Sequence, residues 1–392
     1  MARVFPGVPS RIMTTSPPVL ILGAGLMGRL LAVTLARAGR RVHLVDAADG
    51  PSQAGGAARI AAAMLAPLAE SAVTEPNVVA MGRYGLPRWR ALCEGLDQPV
   101  FFQQNGTLIL WHRQDAREAV RFEALLRATT ERLPELPAPQ PLDAAALATV
   151  EPAVAGRFAQ ALYLPEEGQL ENRQLLDALL ATLQSCGVTV QWSTPMTLAQ
   201  AQDWQRDHPG AWVLDCRGLG ARADWPSAPA PTAGPLRGVR GEVARVYAPD
   251  VTLQRPTRLL HPRYPIYIAP KPNHLFVIGA TEIESDDLSP ASVRSTLELL
   301  SAAYAVHPGF AEGRVLELGA QCRPTLPDNL PAVVEAAPRV LQINGLYRHG
   351  YLISPAVHDA VIEYLDGGTV SLAQRLGLRF VPARQTAACC EP

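Results

Sequence analysis

Apolar positions along the chain follow two periods. Val19–Leu22 is an unbroken apolar run leading straight into a glycine-rich turn, as a buried parallel strand would. Beyond the turn, Leu26, Leu30, Thr34 and Ala38 recur at helical spacing, with Met27, Leu31 and Leu35 in a parallel row, and Gly39 stops the helix. Val42–Val45 reads as the next strand, completing a βαβ start. A second helix carries the stripe Leu175, Leu176, Leu179, Leu180 and Leu183; Asn172 is its expected cap, Gly187 its stop, and VTVQW at 188–192 the strand after it. A third helix is predicted from Ser354 and Pro355, an N-cap followed by the proline favoured at N1, to Gly367 and Gly368. From about 231 to 320, β-branched and aromatic runs alternate with turns, predicting an antiparallel sheet with one helix near 291–304. Proline is dense at 134–141 and 226–235, stretches that cannot continue a helix or join a central strand and so mark crossings between units.

A length of 392 residues predicts two or three structural units, and 48% apolar residues supply a large core. Thirty-five basic side chains against thirty-six acidic ones leave a net charge of −1, with no global footprint for nucleic acid or an anionic membrane. No segment approaches the ~20 consecutive apolar residues of a membrane span. MARVFPGVPSRI at the start lacks an apolar core, so residues 1–16 read as a disordered extension and not a secretory signal. The six cysteines form no CxxC pair, and Cys389 and Cys390 fall in a polar tail; neither a zinc site nor a disulfide framework is expected. The eight histidines show no HExxH, so no metal is expected. These bounds predict a cytoplasmic protein.

The chemistry starts at GAGLMG, residues 23–28, a G-x-G-x-x-G between a predicted strand and a predicted helix. Gly23 permits the tight turn, Gly25 lets backbone approach a pyrophosphate, and Gly28 allows close helix–strand packing. Leu26 and Met27 open the helix whose N-terminus favours phosphate charge. Asp46, at the end of the following strand, is placed to accept from an adenosine ribose and would repel the 2′-phosphate of NADP. FAD and NAD both remain open on these residues.

Six further segments occur in order: AAAMLAPLAE (61–70), VLDCRGLGAR (213–222), YIAPK (267–271), VIGATEIES (277–285), CRPTLPDNLP (322–331) and GLYRHGYLISP (345–355). With the N-terminal turn they resemble the D-amino-acid-oxidase-type flavoproteins, and within them the glycine oxidase branch that feeds thiazole synthesis in thiamine-making bacteria. The likeness runs from about 19 to 368. It implies an α/β (overall α+β) fold with a Rossmann-like FAD-binding domain, discontinuous over about 17–85, 145–230 and 321–368. A β-rich substrate domain would cover about 86–144 and 231–320, with a C-terminal tail at 369–392. Some positions depart from the family pattern: Ala63 stands where glycine is common, Ala58 and Arg59 where serine or threonine precedes the alanines, and Leu346 and His349 alter the GHYRNG-like segment. Asp46 replaces a more usual glutamate.

The resemblance implies noncovalent FAD. Ala61, Ala62, Ala63, Met64 and Leu65 would pass along its ribityl chain and ring, Met196 would lie by the adenine, and Cys216, Gly218 and Leu219 would make a second close contact. Arg217 would pair either with a phosphate or in a surface salt bridge. Gly345, Tyr347, Arg348, His349, Gly350, Tyr351 and Leu352 would face the ring, where a helix N-terminus stabilises the anionic reduced flavin. Cys322 is offset from the place where some relatives attach flavin covalently. Arg323 would fork the substrate carboxylate, since a guanidinium meets both oxygens at once, with Arg348 as its rival and in a secondary role at the pocket. Period-two alternation puts Tyr267 and Ala269 on one strand face, opposite Ile268, and the resemblance sets Tyr267 over the flavin.

The implied activity is oxidation of glycine or another small amino acid to an imine by hydride transfer to flavin N5, with O2 becoming hydrogen peroxide. It needs no side-chain base, which fits the lack of an acid–base dyad. Sarcosine oxidase and D-amino-acid oxidase or dehydrogenase are the near alternatives. An NAD-dependent dehydrogenase and a flavin domain for tRNA modification are the distant ones. The expected partners are the small amino acid or amine and O2, without nucleic acid; a homo-oligomer and a hand-off to thiazole synthase are both allowed.

Overall fold

A strand apolar on both faces can satisfy its backbone only between two other strands. Val19–Leu22 is wholly buried and pairs in parallel with Val42–Val45 on one side and Trp212–Asp215 on the other. The computed structural model describes residues 17–53, 56–225, 234–261 and 265–383. The extension at 1–16, the prolines at 226–233 and the pair Cys389 and Cys390 lie outside these residues. The sheet has seven strands, in the order Arg379–Val381, Ala332–Ala337, Val340–Asn344, Trp212–Asp215, Val19–Leu22, Val42–Val45 and Val190–Gln191. Chain from both ends thus meets in one sheet. Residues 369–383, expected as tail, supply a helix at Ser371–Leu376 and that edge strand.

Close approach fixes the first turn. Gly23 has φ +93°, and a Cβ on it would lie 2.8 Å from the Cys216 carbonyl oxygen. A Cβ on Gly28 would lie 1.9 Å from the Gly23 oxygen, so helix Leu26–Arg37 rests directly on the turn.

The second sheet has eight strands, from Arg314–Thr325 through Arg237–Tyr247, Leu275–Gly279, Ile266–Lys271, Thr257–Leu260, Thr107–Trp111 and Ala161–Leu164 to Gln140–Leu142. It is antiparallel except where Thr257–Leu260 runs parallel to Thr107–Trp111. Pro141 sits in the edge strand, where a missing N–H is tolerated. The helix in this region spans Val293–Val306. Ile268 faces the core with Leu108, Ile278 and Phe276, whereas Tyr267 and Ala269 face Ala62, Val243 and Val277. The alternation read in YIAPK is the one observed.

Three boundaries differ from expectation. Helix Asn172–Ser185 is capped by Glu171, whose carboxylate accepts from the Gln174 N–H at 2.7 Å; Asn172 is already helical and donates to the Ala58 and Arg59 carbonyls. The strand in 188–192 shortens to Val190–Gln191. The last long helix starts at Gly350, not Ser354, and carries Pro355 inside it. Pro355 cannot donate to the Tyr351 carbonyl four residues back, and the Trp89 indole N–H donates there instead, at 2.6 Å. Gly85 lets helix Pro76–Glu94 meet this one, since a Cβ there would lie 2.6 Å from the Leu352 oxygen. Ser354 bonds the Gly350 carbonyl within the helix.

Lys271 joins the eight-stranded sheet to a small third sheet made of Met64–Leu65, Gly168–Leu170 and Phe102–Gln103. Its buried Nζ donates to the Ala62 carbonyl (2.7 Å), the Leu170 carbonyl (2.7 Å) and Gln169 Oε1 (3.0 Å). Three acceptors match the three N–H bonds of an ammonium, while burial pushes its pKa down to about 7.

Two substitutions test this packing. Gly28→Ala should lower the free energy of unfolding by at least about 3 kcal/mol, because its Cβ meets backbone that cannot give way. Lys271→Met should cost about 2–4 kcal/mol by leaving buried acceptors unpaired. Urea unfolding measures both.

Candidate functional site

The parallel strands end, at their C-terminal edges, on a cavity of about 1700 Å³ that continues between the two sheets. One end is lined by Gly23, Gly25, Asp46, Thr194, Met196, Cys216 and Gly218, the other by Tyr267, Glu282, Arg323, Arg348 and Glu70. The alanines 61–63 line the passage between them.

At the first end, Gly25 faces open space: a Cβ there would meet nothing within 4 Å. Its missing side chain therefore serves no packing within the chain and leaves room for a ligand. Asp46 accepts from the Ala24 N–H at 2.6 Å and the Ala48 N–H at 2.8 Å, which locks the turn while its carboxylate still faces the cavity. Arg217 is not free for a phosphate. It pairs with Asp215 (2.7 Å) and Asp224 (2.8 Å) and donates to the Met196 carbonyl, so it fastens the 194–197 segment.

Ala63 has φ +52° and Tyr347 φ +51°, the left-handed region that costs a residue with a Cβ about 1–2 kcal/mol. Glycine, which the family commonly carries at the first position, would enter this region without that cost. Strain of this kind gathers at ligand-binding segments.

At the other end, the Arg323 guanidinium lies against Gly241, where a Cβ would come within 2.3 Å of its Nη2. Its guanidinium donates only to carbonyls, of Arg240 (3.3 Å) and Thr281 (3.1 Å), and has no carboxylate partner among the described residues. Burial lowers its pKa. The Tyr267 ring lies over Gly279 in the same manner, its hydroxyl 2.7 Å from where a Cβ would stand. Burial raises the Tyr267 pKa, against the pull of Arg323, so the phenol stays protonated and can donate.

Arg348 is committed elsewhere. Its Nη1 contacts Glu282 at 2.8 Å and its Nε contacts Glu70 at 3.2 Å. Glu70 also takes Arg258 at 2.5 Å and stands 3.3 Å from His349 Nδ1. Burial would raise the Glu70 pKa, yet Arg348, Arg258 and His349 hold it well below the ordinary range. Glu282 accepts from the Tyr347 hydroxyl at 2.6 Å.

Three expected contact residues do not line the cavity. Gly28 is spent on the Gly23 carbonyl, Leu65 is fully buried in the core, and Gly345, at φ +76°, packs on Leu326 and the Leu330 carbonyl. Leu26, Met27, Met64, Leu219, Tyr347, His349, Gly350, Tyr351 and Leu352 do line it. Sequence reading missed Arg258, Glu70 and Glu282 as parts of this region. Two lie inside the quoted segments AAAMLAPLAE and VIGATEIES, but Arg258 has no local signal: cross-strand pairing with Tyr267 puts it here.

The open glycine cradle, the strand-end acid and the long passage to an unpaired guanidinium fit an extended dinucleotide with a small anion beyond it. The FAD-dependent oxidoreductase (DAO) family matches over residues 18–363. A putative thiamine biosynthesis oxidoreductase, ThiO, of Rhizobium etli is 40% identical over 347 residues, covering 88% of this chain and 96% of its own. The bifunctional tRNA 5-methylaminomethyl-2-thiouridine biosynthesis protein MnmC of Azoarcus sp. is 30% identical across 93% of this chain but only 59% of its own. Among solved structures, glycine oxidase from Geobacillus kaustophilus superposes with TM-score 0.72 at 23% identity, covering 90% of this chain and 95% of that one. Iminodiacetate oxidase from Chelativorans sp. does so with 0.74 at 20%, covering 93% and 100%. No helix among the described residues is long and apolar enough to cross a membrane. With that family matching nearly all of the described chain and a relative 40% identical over 96% of its own length, this protein belongs to the DAO-type FAD-dependent oxidoreductases.

Proposed function

We propose that the chain oxidises glycine, or a similarly small amino acid, to its imine, and that the product supplies thiazole synthesis. The observation that carries this reading is Arg323: a guanidinium in the cavity, beside a protonated Tyr267, with no carboxylate of its own. The likeness to ThiO supports the choice of substrate and pathway.

Bound FAD supplies a two-electron acceptor that takes the α-hydrogen with its electron pair and passes the electrons to O2, giving hydrogen peroxide. The first end of the cavity would hold it: Gly23, Gly25 and the helix N-terminus at Leu26 and Met27 for the pyrophosphate, Asp46 for the ribose, and Met196, Cys216, Gly218 and Leu219 for the adenine side. Residues Ala61 to Met64 and Tyr347 to Leu352 would border the ring. The start of helix Gly350–Gly367 presents its positive end there, suited to negative charge on the reduced ring. Cys322 is buried and bonded to the Ser285 and Asp287 carbonyls, which favours noncovalent flavin.

Arg323 would bind both carboxylate oxygens and so fix the α-carbon, and the Tyr267 hydroxyl would donate a further hydrogen bond. Arg348, neutralised by Glu70 and Glu282, keeps a supporting place. No side-chain base is required once the substrate amine is neutral.

Anaerobic mixing of the purified holoprotein with glycine, sarcosine, D-alanine and D-proline tests the reading. Glycine should bleach the flavin band fastest, and α-deuteration should slow that step. Absence of flavin, or flavin that no amino acid bleaches, would overturn it. Arg323→Lys keeps the charge but loses the fork, so kcat/KM for glycine should fall about 100-fold while FAD content is retained. Tyr267→Phe keeps the ring over Gly279, and should raise KM about five- to tenfold with little change in unfolding temperature.

A further inference from the structure

The charges around Arg323 do not cancel. Three guanidiniums, of Arg258, Arg323 and Arg348, share this end of the cavity with two carboxylates, Glu70 and Glu282. Glu70 is enclosed by Arg258, Arg348 and His349 and is buried. Glu282 differs. Its side chain keeps 49% of its surface, and it meets the Arg348 Nη1 on the side that Glu70 leaves open. It follows directly on Thr281, whose carbonyl accepts from the Arg323 guanidinium at 3.1 Å. The Glu282 carboxylate is therefore carried by the same short segment that braces Arg323, and it occupies the one part of the Arg348 fork that a second anion could use. The Tyr347 hydroxyl, bonded to the other Glu282 oxygen at 2.6 Å, holds it in that place.

Resting on the amine-oxidase reading above, we propose that Glu282 determines specificity: it fills the fork of Arg348 as a built-in second carboxylate, so that the pocket takes amino acids with one carboxylate and rejects those with two. With Glu282 present a single positive charge, that of Arg323, is left to match the substrate. A substrate with a second carboxylate would have to displace Glu282 from Arg348 and Tyr347, or lie beside it as a like charge. Replacing Glu282 by glutamine removes that charge while keeping a side chain of the same shape, and leaves Arg348 with Glu70 alone. The same fork then accepts the extra carboxylate. Electrostatics agree with this placement: burial lowers the Arg323 pKa, the Arg348 charge lowers it further, and Glu282 opposes that shift.

Two ethers test this without turnover, because neither carries an amine to oxidise. Methoxyacetate has one carboxylate and oxydiacetate has two, in otherwise matched chains. Calorimetric titration of the FAD-loaded protein should show methoxyacetate binding more tightly than oxydiacetate. In Glu282→Gln the ratio of the two Kd values should move toward oxydiacetate by about tenfold or more, and Glu282→Ala should move it the same way. Oxydiacetate binding the unaltered protein as tightly as methoxyacetate would overturn the proposal, as would an unchanged ratio in variants that retain FAD. Failure of glycine and sarcosine to bleach the flavin, with the ether ratio shifting as stated, would remove the oxidase reading and leave the charge discrimination standing.

Discussion

Glu70 brings one buried carboxylate to the point where two other segments converge: Arg258 from the eight-stranded sheet, and Arg348 with His349 from the turn before the last long helix. Either guanidinium would be costly to bury alone, and removing their shared partner would leave charge uncompensated at about 3–5 kcal/mol. The arrangement also decides which guanidinium stays available. Because Glu70 and Glu282 occupy Arg258 and Arg348, the cation left for a substrate is Arg323, held over Gly241 by carbonyl oxygens that fix its direction without cancelling its charge.

The other end of the cavity depends first on backbone proximity. Gly28 lets a helix rest on the Gly23 carbonyl, which sets the distance between the first strand and the crossing segment at Cys216. Asp46 and Arg217 then tie the turn and the 194–197 segment to the sheet. Lys271 holds the Ala62 carbonyl, and with it the alanine passage, to the strand that carries Tyr267. Such a tie matters because binding surfaces carried by different segments keep their spacing only if something rigid spans them.

Much of this was legible where local pattern and chemistry coincide. The turn at 23–28 is flanked by the strand and helix that its glycines require, and Tyr267 follows strict alternation against Ile268. Arg323 stands out by its place before Pro324 in a family-like segment. What escaped reading rests on contacts between distant segments. Arg258 and Glu70 are 188 positions apart, and no spacing rule links them. Pro355 mimics an N1 proline and so points to a helix start five residues later than the observed Gly350; Trp89, far away in sequence, makes it tolerable inside the helix. Glu171 displaced Asn172 as a cap because both side chains can accept from the first turn, and Asn172 had another task.

A crystal structure of the holoprotein with glycolate, which carries the carboxylate of glycine and a hydroxyl in place of its amine, tests the central claim most directly. The account predicts both carboxylate oxygens on the Arg323 guanidinium, the Tyr267 hydroxyl within hydrogen-bond distance of one of them, and Arg348 still paired with Glu70 and Glu282. Glycolate seated on Arg348, with Arg323 still bonded only to the Arg240 and Thr281 carbonyls, would contradict it.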